Sequence, residues 1–146
     1  TYNALVWGTV KEDEGTIVGA LARDPRDRML FTVFDENENP LAKHAVTHYR
    51  VIERFAYCTL VECKLETGRT HQIRKHLAMA RHPVLGDGTY GFKVVENPQL
   101  QKITYPLLHA VELEFEHPFA EKVMKVFAPL PQEFHRWLSF LKLSPR

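Results

Sequence analysis

One short run holds most of the residues that could do chemistry: Arg69-Thr70-His71-Gln72-Ile73-Arg74-Lys75-His76, with three permanent cations, two imidazoles, a hydroxyl and an amide. It follows Gly68 and leads an apolar stripe, Ile73, Leu77 and Ala80, at helical spacing. That pattern predicts a helix over 70–81 with Thr70 as its N-cap. Free backbone N–H groups and the positive dipole end at a helix start suit a phosphate or another anion. Arg69, just ahead of the helix, could add a forked, charge-assisted contact, and Arg74, one turn in, lies on the same side as His71. The same spacing also describes a solvated helix face, so the residues alone leave both readings open. His71, His76 and His82 do not read as a metal site, because no carboxylate or cysteine stands at ligand spacing and an i, i+5 pair is not on one face. Gly86 and Gly91 fit tight turns with Asp87 as a turn-stabilising side chain, and Tyr90 fits either a stacking or a packed role.

The elements that must position these residues are mostly strands. A first strand-like run covers Ala4 to Gly8, a second Thr16 to Leu21, a third Met29 to Phe34, with a polar surface loop over 35–40. Two long β-branched and aromatic runs, Ala45 to Phe55 and Tyr57 to Leu65, are close enough to form a hairpin around Ala56. Beyond His82-Pro83 and a glycine-rich loop, Leu107 to Phe115 alternates as a strand with Val111, Leu113 and Phe115 inward and Glu112, Glu114 and Glu116 outward. A further strand covers Lys122 to Phe127. A last helix from Gln132 to Leu143 places Phe134, Trp137, Leu138 and Leu141 on one face. Many sequential strands with few helices predict an α+β domain on a mostly antiparallel sheet.

The chain has 146 residues, 45% of them hydrophobic, which supports one compact core and not two ordinary domains. With a net charge of +1, the local basic run fits a defined polyanion site better than a histone-like coat. Cys58 and Cys63 stand five positions apart in a strand, so they should point to opposite faces and neither bridge nor share a metal. With no apolar run of membrane-spanning length and no signal-peptide pattern, a cytoplasmic setting and no membrane partner are expected.

The string TGRTHQIR at 67–74, the following His76-Leu77, and HPVLGDGTYG at 82–91 resemble the long signature of the RluA-type RNA pseudouridine synthases. The likeness continues in Thr1 to Gly8, similar to that family's tyrosine motif, in Ala45 to Tyr49 with Val51, and in Leu108-His109-Ala110, His117-Pro118 and Ala128-Pro129. Together these cover nearly the whole chain in the family's order. The resemblance implies an isomerase that cleaves the N1–C1′ bond of uridine in RNA, turns the uracil and rejoins it through C5, with no cofactor and no metal. The target nucleotide would leave its stack to enter the pocket.

By the same resemblance, Tyr2 corresponds to the active-site tyrosine, its ring on the uracil and its hydroxyl available for proton transfer at C5. Arg74 corresponds to the arginine that pairs with the catalytic aspartate, and Leu108 to an apolar residue lining the base pocket. Arg69, Thr70, His71, Gln72 and Lys75 correspond to RNA-backbone and helix-start contacts. The family's aspartate stands in a His-Arg-Leu-Asp motif upstream of the tyrosine motif, and none of the eight histidines here begins that run. Residues 1–146 are therefore expected to be the C-terminal part of one catalytic domain, inactive alone. The Asp-bearing N-terminal half would be an obligatory partner, Arg74 being an unpaired cation without it. The expected RNA is structured, with large-subunit rRNA favoured over tRNA. The rival expectation is a non-catalytic RNA-binding module or assembly partner that kept the scaffold.

Overall fold

The computed structural model describes residues 1–35, 38–91, 100–119 and 121–143. Part of the loop expected over 35–40, Glu36 and Asn37, lies outside the described residues. Five strands form an antiparallel sheet: β1 (Tyr2–Trp7), β2 (Glu14–Val18), β5 (Val46–Arg54), β6 (Cys58–Leu65) and β7 (Leu108–Ala110), in the order β2-β5-β6-β1-β7. Two ribbons stand apart from it, β3 (Ala20–Arg23) with β4 (Phe31–Phe34) and β8 (Glu112–Glu116) with β9 (Val123–Phe127). The α-helices are α1 (Gln72–Met79) and α2 (Gln132–Leu143), and a 3-10 turn spans Leu100–Lys102. This is the expected α+β, mostly antiparallel architecture.

Strand alternation sorts the core into two layers. On one face Ala4, Val6, Val61 and Cys63 pack with Ile73 and Leu77 of α1. On the other, Leu5, Cys58 and Leu60 pack with Phe134, Leu138 and Leu141 of α2, and the half-buried Trp137 lies against them. The two cysteines thus face opposite layers as expected, and burial pushes both thiols up to about 12.

Two expected strands are each split, for identifiable reasons. The run from Thr16 to Leu21 breaks at Gly19, whose N–H donates to the Ala45 carbonyl and whose own carbonyl accepts from His76 Nε2. A Cβ there would come within 2.8 Å of a Val33 methyl, so a side chain at this crossing from the sheet to the β3–β4 ribbon would have to push Val33 aside. The run from Leu107 to Phe115 breaks at Val111, where the N–H groups of Val111 and Glu112 both turn to the Thr1 carbonyl. β7 then joins β1 while β8 joins β9. The inward orientation expected for Leu113 and Phe115 does not hold: they are 52% and 47% exposed, because the ribbon leaves the sheet that would have covered them.

The N-cap of helix α1 falls one residue later than expected. It is His71, in the left-handed region at φ 55° and without a side-chain cap hydrogen bond, and Thr70 is exposed. At the far end Arg81 adopts φ 68°, and the N–H groups of Arg81 and His82 close on the carbonyls of Ala78 and Leu77. That left-handed C-terminal turn ends the helix before Pro83.

Candidate active site

The first turn of α1 is fixed from beneath. Gln72 is 2% exposed, and its amide is fully committed. Oε1 accepts from Thr67 Oγ1 and the Arg69 N–H, and Nε2 donates to the Val46 carbonyl and Thr47 Oγ1. Of the RNA-backbone and helix-start roles expected for this group, Gln72 takes the helix-start one, with its amide wholly spent on the protein. One turn on, the fully buried His76 joins Thr47 Oγ1 at 2.8 Å and the Gly19 carbonyl at 3.0 Å. The carbonyl can only accept, so Nε2 carries the proton and Nδ1 accepts from Thr47. Burial pushes His76 below its ordinary range, in keeping with this neutral form.

Arg74 is not an unpaired cation. Its Nε and one Nη donate to the two carboxylate oxygens of Asp87 at 2.8 and 2.9 Å, a bidentate pair with side chains 20% and 0% exposed. The expectation failed because Arg74 and Asp87 lie thirteen residues apart and meet only when the loop after Pro83 folds back on α1. The turn role expected for Asp87 holds alongside: the same carboxylate accepts the N–H groups of Thr89 and Tyr90, and its carbonyl accepts that of Gly91. Burial alone would raise the Asp87 carboxyl. The Arg74 guanidinium and the two amides outweigh it and hold the group below the usual carboxylate range. Among the described contacts Arg74 commits two of its five N–H groups, leaving a guanidinium edge for another acceptor.

Tyr90 is the packed tyrosine of the two alternatives. Its hydroxyl accepts the Phe31 N–H at 2.9 Å and lies 2.8 Å from His71 Nδ1, tying the β3–β4 ribbon to the start of α1. Arg74 and Lys75 sit over its ring, 5.2 and 5.5 Å from the centroid. Burial, then the nearby Arg74 charge, push His71 below its ordinary range. Arg69 donates from Nε to the His44 carbonyl and, with the exposed Thr70, lines a cavity beside the helix start.

Tyr2 and Leu108 come together on the sheet face that α1 covers. Leu108 pairs with Ala4, Tyr2 pairs with Ala110, and both side chains border the layer containing Ile73 and Leu77. Both are half-buried, so each combines a packed flank with an accessible one. Among the described residues no group of histidine, cysteine, aspartate and glutamate is arranged to hold a metal.

The sequence profile described as RNA pseudouridylate synthase matches residues 1–79, more than half of the chain. The chain belongs to the RNA pseudouridylate synthase family. Among the relatives of this synthase-family chain is the uncharacterized RNA pseudouridine synthase YlyB of Bacillus subtilis, 40% identical over 97% of this chain and 43% of that protein. Ribosomal large subunit pseudouridine synthase D of Xylella fastidiosa is 41% identical over 88% of this chain and 40% of its own length. The solved structure of human RNA Pseudouridylate Synthase Domain Containing 1 superimposes with a TM-score of 0.72 at 25% identity, covering 99% of this chain and 65% of that one. Human RNA Pseudouridylate Synthase Domain Containing 4, at 24% identity and a TM-score of 0.77, shares the fold over 99% of this chain and 62% of its own. The chain thus spans less than half the length of the curated synthases it matches.

Three cations of this synthase-family chain escaped the sequence reading: Arg23, Arg28 and Lys43, which line the same cavity as Arg69. Arg23 to Arg28 alternates in sign with aspartates and so reads as a solvated turn, and nothing in the spacing brings it to residue 69. The crowding of three arginines into six residues was the available signal.

Proposed function

We propose that this chain supplies the arginine and tyrosine side of an active site that isomerises uridine to pseudouridine in structured RNA, with large-subunit rRNA favoured over tRNA. The carrying observation is that the family match, residues 1–79, includes both Tyr2 and Arg74. Tyr2 would pack its ring against the uracil and use its hydroxyl in proton transfer at C5, with Leu108 lining the base pocket. Arg74, held by Asp87, would present its uncommitted edge to the catalytic carboxylate and keep it ionised and aimed at the sugar or base. Arg69, Thr70, His71 and Lys75 would contact the RNA backbone near the helix start.

That carboxylate would come from a further segment of the same catalytic domain, the chain alone being inactive. The relatives' greater length supports this. So does the apolar side of the β8–β9 ribbon, where Leu113, Phe115 and Val126 are exposed and await a covering layer.

One observation favours the second reading, a non-catalytic RNA-binding module or assembly partner: Arg74 already has a carboxylate in Asp87 and needs no other to be satisfied. Pseudouridine mapping of ribosomal and transfer RNA from cells with and without the intact gene separates the two. Loss of a defined pseudouridine supports the enzyme. An unchanged map, with no His-Arg-Leu-Asp run encoded upstream of Thr1, supports the module.

A further inference from the structure

A cavity of about 560 Å³ lies between the β3–β4 ribbon, the loop after it and the residues leading into α1. Arg23, Arg28, Lys43 and Arg69 line it, drawn from three separate stretches of chain. Among the described residues none of the four forms an ion pair with a carboxylate. The nearby Asp24 is instead turned to Arg26, through both its backbone N–H and its side chain. Four like charges around one cavity raise the local positive potential and favour the entry of an anion.

Two of the cations are also held in place. Arg23 donates to the Arg28 carbonyl at 2.6 Å and lies over the Phe31 ring at 5.1 Å, and Arg69 is tied to the His44 carbonyl. Each guanidinium keeps further N–H donors for an incoming oxygen. Phe31 connects this cavity to the candidate active site, since its N–H donates to Tyr90 and its ring meets the edge of His71 at 5.7 Å.

We propose that this cavity binds the phosphodiester backbone of the RNA strand flanking the target uridine, holding the strand while that nucleotide is unstacked. The inference rests on the RNA-directed reading above and adds Arg23, Arg28 and Lys43 to the surface that reading requires. Fixed guanidinium forks on an apolar floor suit a strand whose sugars pack and whose phosphates pair.

The test is fluorescence anisotropy of the complete polypeptide that contains this chain with a fluorescein-labelled RNA stem–loop carrying a uridine-rich loop, titrated across a salt series. The triple variant Arg23→Gln, Arg28→Gln, Lys43→Gln is compared with a charge-matched control, Lys102→Gln, Arg136→Gln, Lys142→Gln. The control positions are exposed and lie in or beside the helices on the opposite sheet face. The cavity variant should bind about tenfold or more weakly at moderate salt, with the slope of log K against log salt shallower by about two. The control should match the unaltered chain. Equal binding and equal slopes for all three proteins would overturn the inference while leaving the RNA-directed reading intact. Failure of the unaltered complete polypeptide to bind the stem–loop would overturn both.

Discussion

Asp87 gathers four donors on one buried carboxylate: two from Arg74 and the N–H groups of Thr89 and Tyr90. It therefore orients the guanidinium and shapes the loop at once. Asp87→Asn keeps the size and removes the charge, leaving a partly buried cation without its partner, and should cost about 3 kcal/mol in a urea melt. The pH dependence has a definite sign. The folded carboxyl titrates below its ordinary value, so as pH falls through about 4 the unfolded chain takes up the proton first. Stability from this pair is complete above that pH and is lost below it, an acid arm that Asp87→Asn should lack. At this scale the sequence was partly legible. The cations of 69–76 and the turn role of Asp87 could be read from spacing and turn chemistry, whereas the Arg74–Asp87 pair and the burial of Gln72 depend on a fold-back that no local pattern encodes.

Helix α1 is held by a relay that runs from Gln72 through Thr47 and His76 to Gly19, joining β5, α1 and the break between β2 and β3. Because His76 must stay neutral to serve in it, lowering the pH through about 6.5 should erode stability, the unfolded chain binding the proton before the folded one. Thermal melts from pH 7.5 to 5 should show that fall. His76→Gln should flatten it to the contribution of His71, which shifts in the same direction. The loop that delivers Asp87 depends on Gly86, whose φ of +82° and close approach to the Tyr105 carbonyl leave no room for a side chain; a Cβ would lie 2.0 Å away. Gly86→Ala should therefore cost at least about 2 kcal/mol and loosen the Arg74 pair with it, which a denaturant titration would register. The strands and both α-helices were legible from hydrophobic period, and α2 matched its expected bounds, whereas the 3-10 turn at Leu100–Lys102 was not. What period could not show was where a continuous apolar run changes partner. The breaks at Gly19 and Val111 are set by hydrogen bonds to Ala45, His76 and Thr1, all distant in sequence.

Across the whole molecule, the sheet separates two tasks. Its α2 side is a closed apolar layer, while its α1 side carries Tyr2, Leu108 and the Arg74–Asp87–Tyr90 cluster, with the basic cavity next to it. A net charge of +1 conceals this asymmetry, which is why composition alone could not mark the basic cavity. The order of motifs along the chain was the legible part, and it anticipated a family membership that the profile match over residues 1–79 established. In the proposed reaction Arg74 orients the catalytic carboxylate and Lys75 holds the RNA. The most direct test is tritium release from large-subunit rRNA labelled at uracil C5, measured with the complete polypeptide that contains this chain. Arg74→Ala should lower the turnover rate by about 100-fold or more while leaving RNA affinity within a few-fold, and Lys75→Ala should weaken binding with turnover at saturation unchanged. Equal and mild losses from both substitutions would contradict the account.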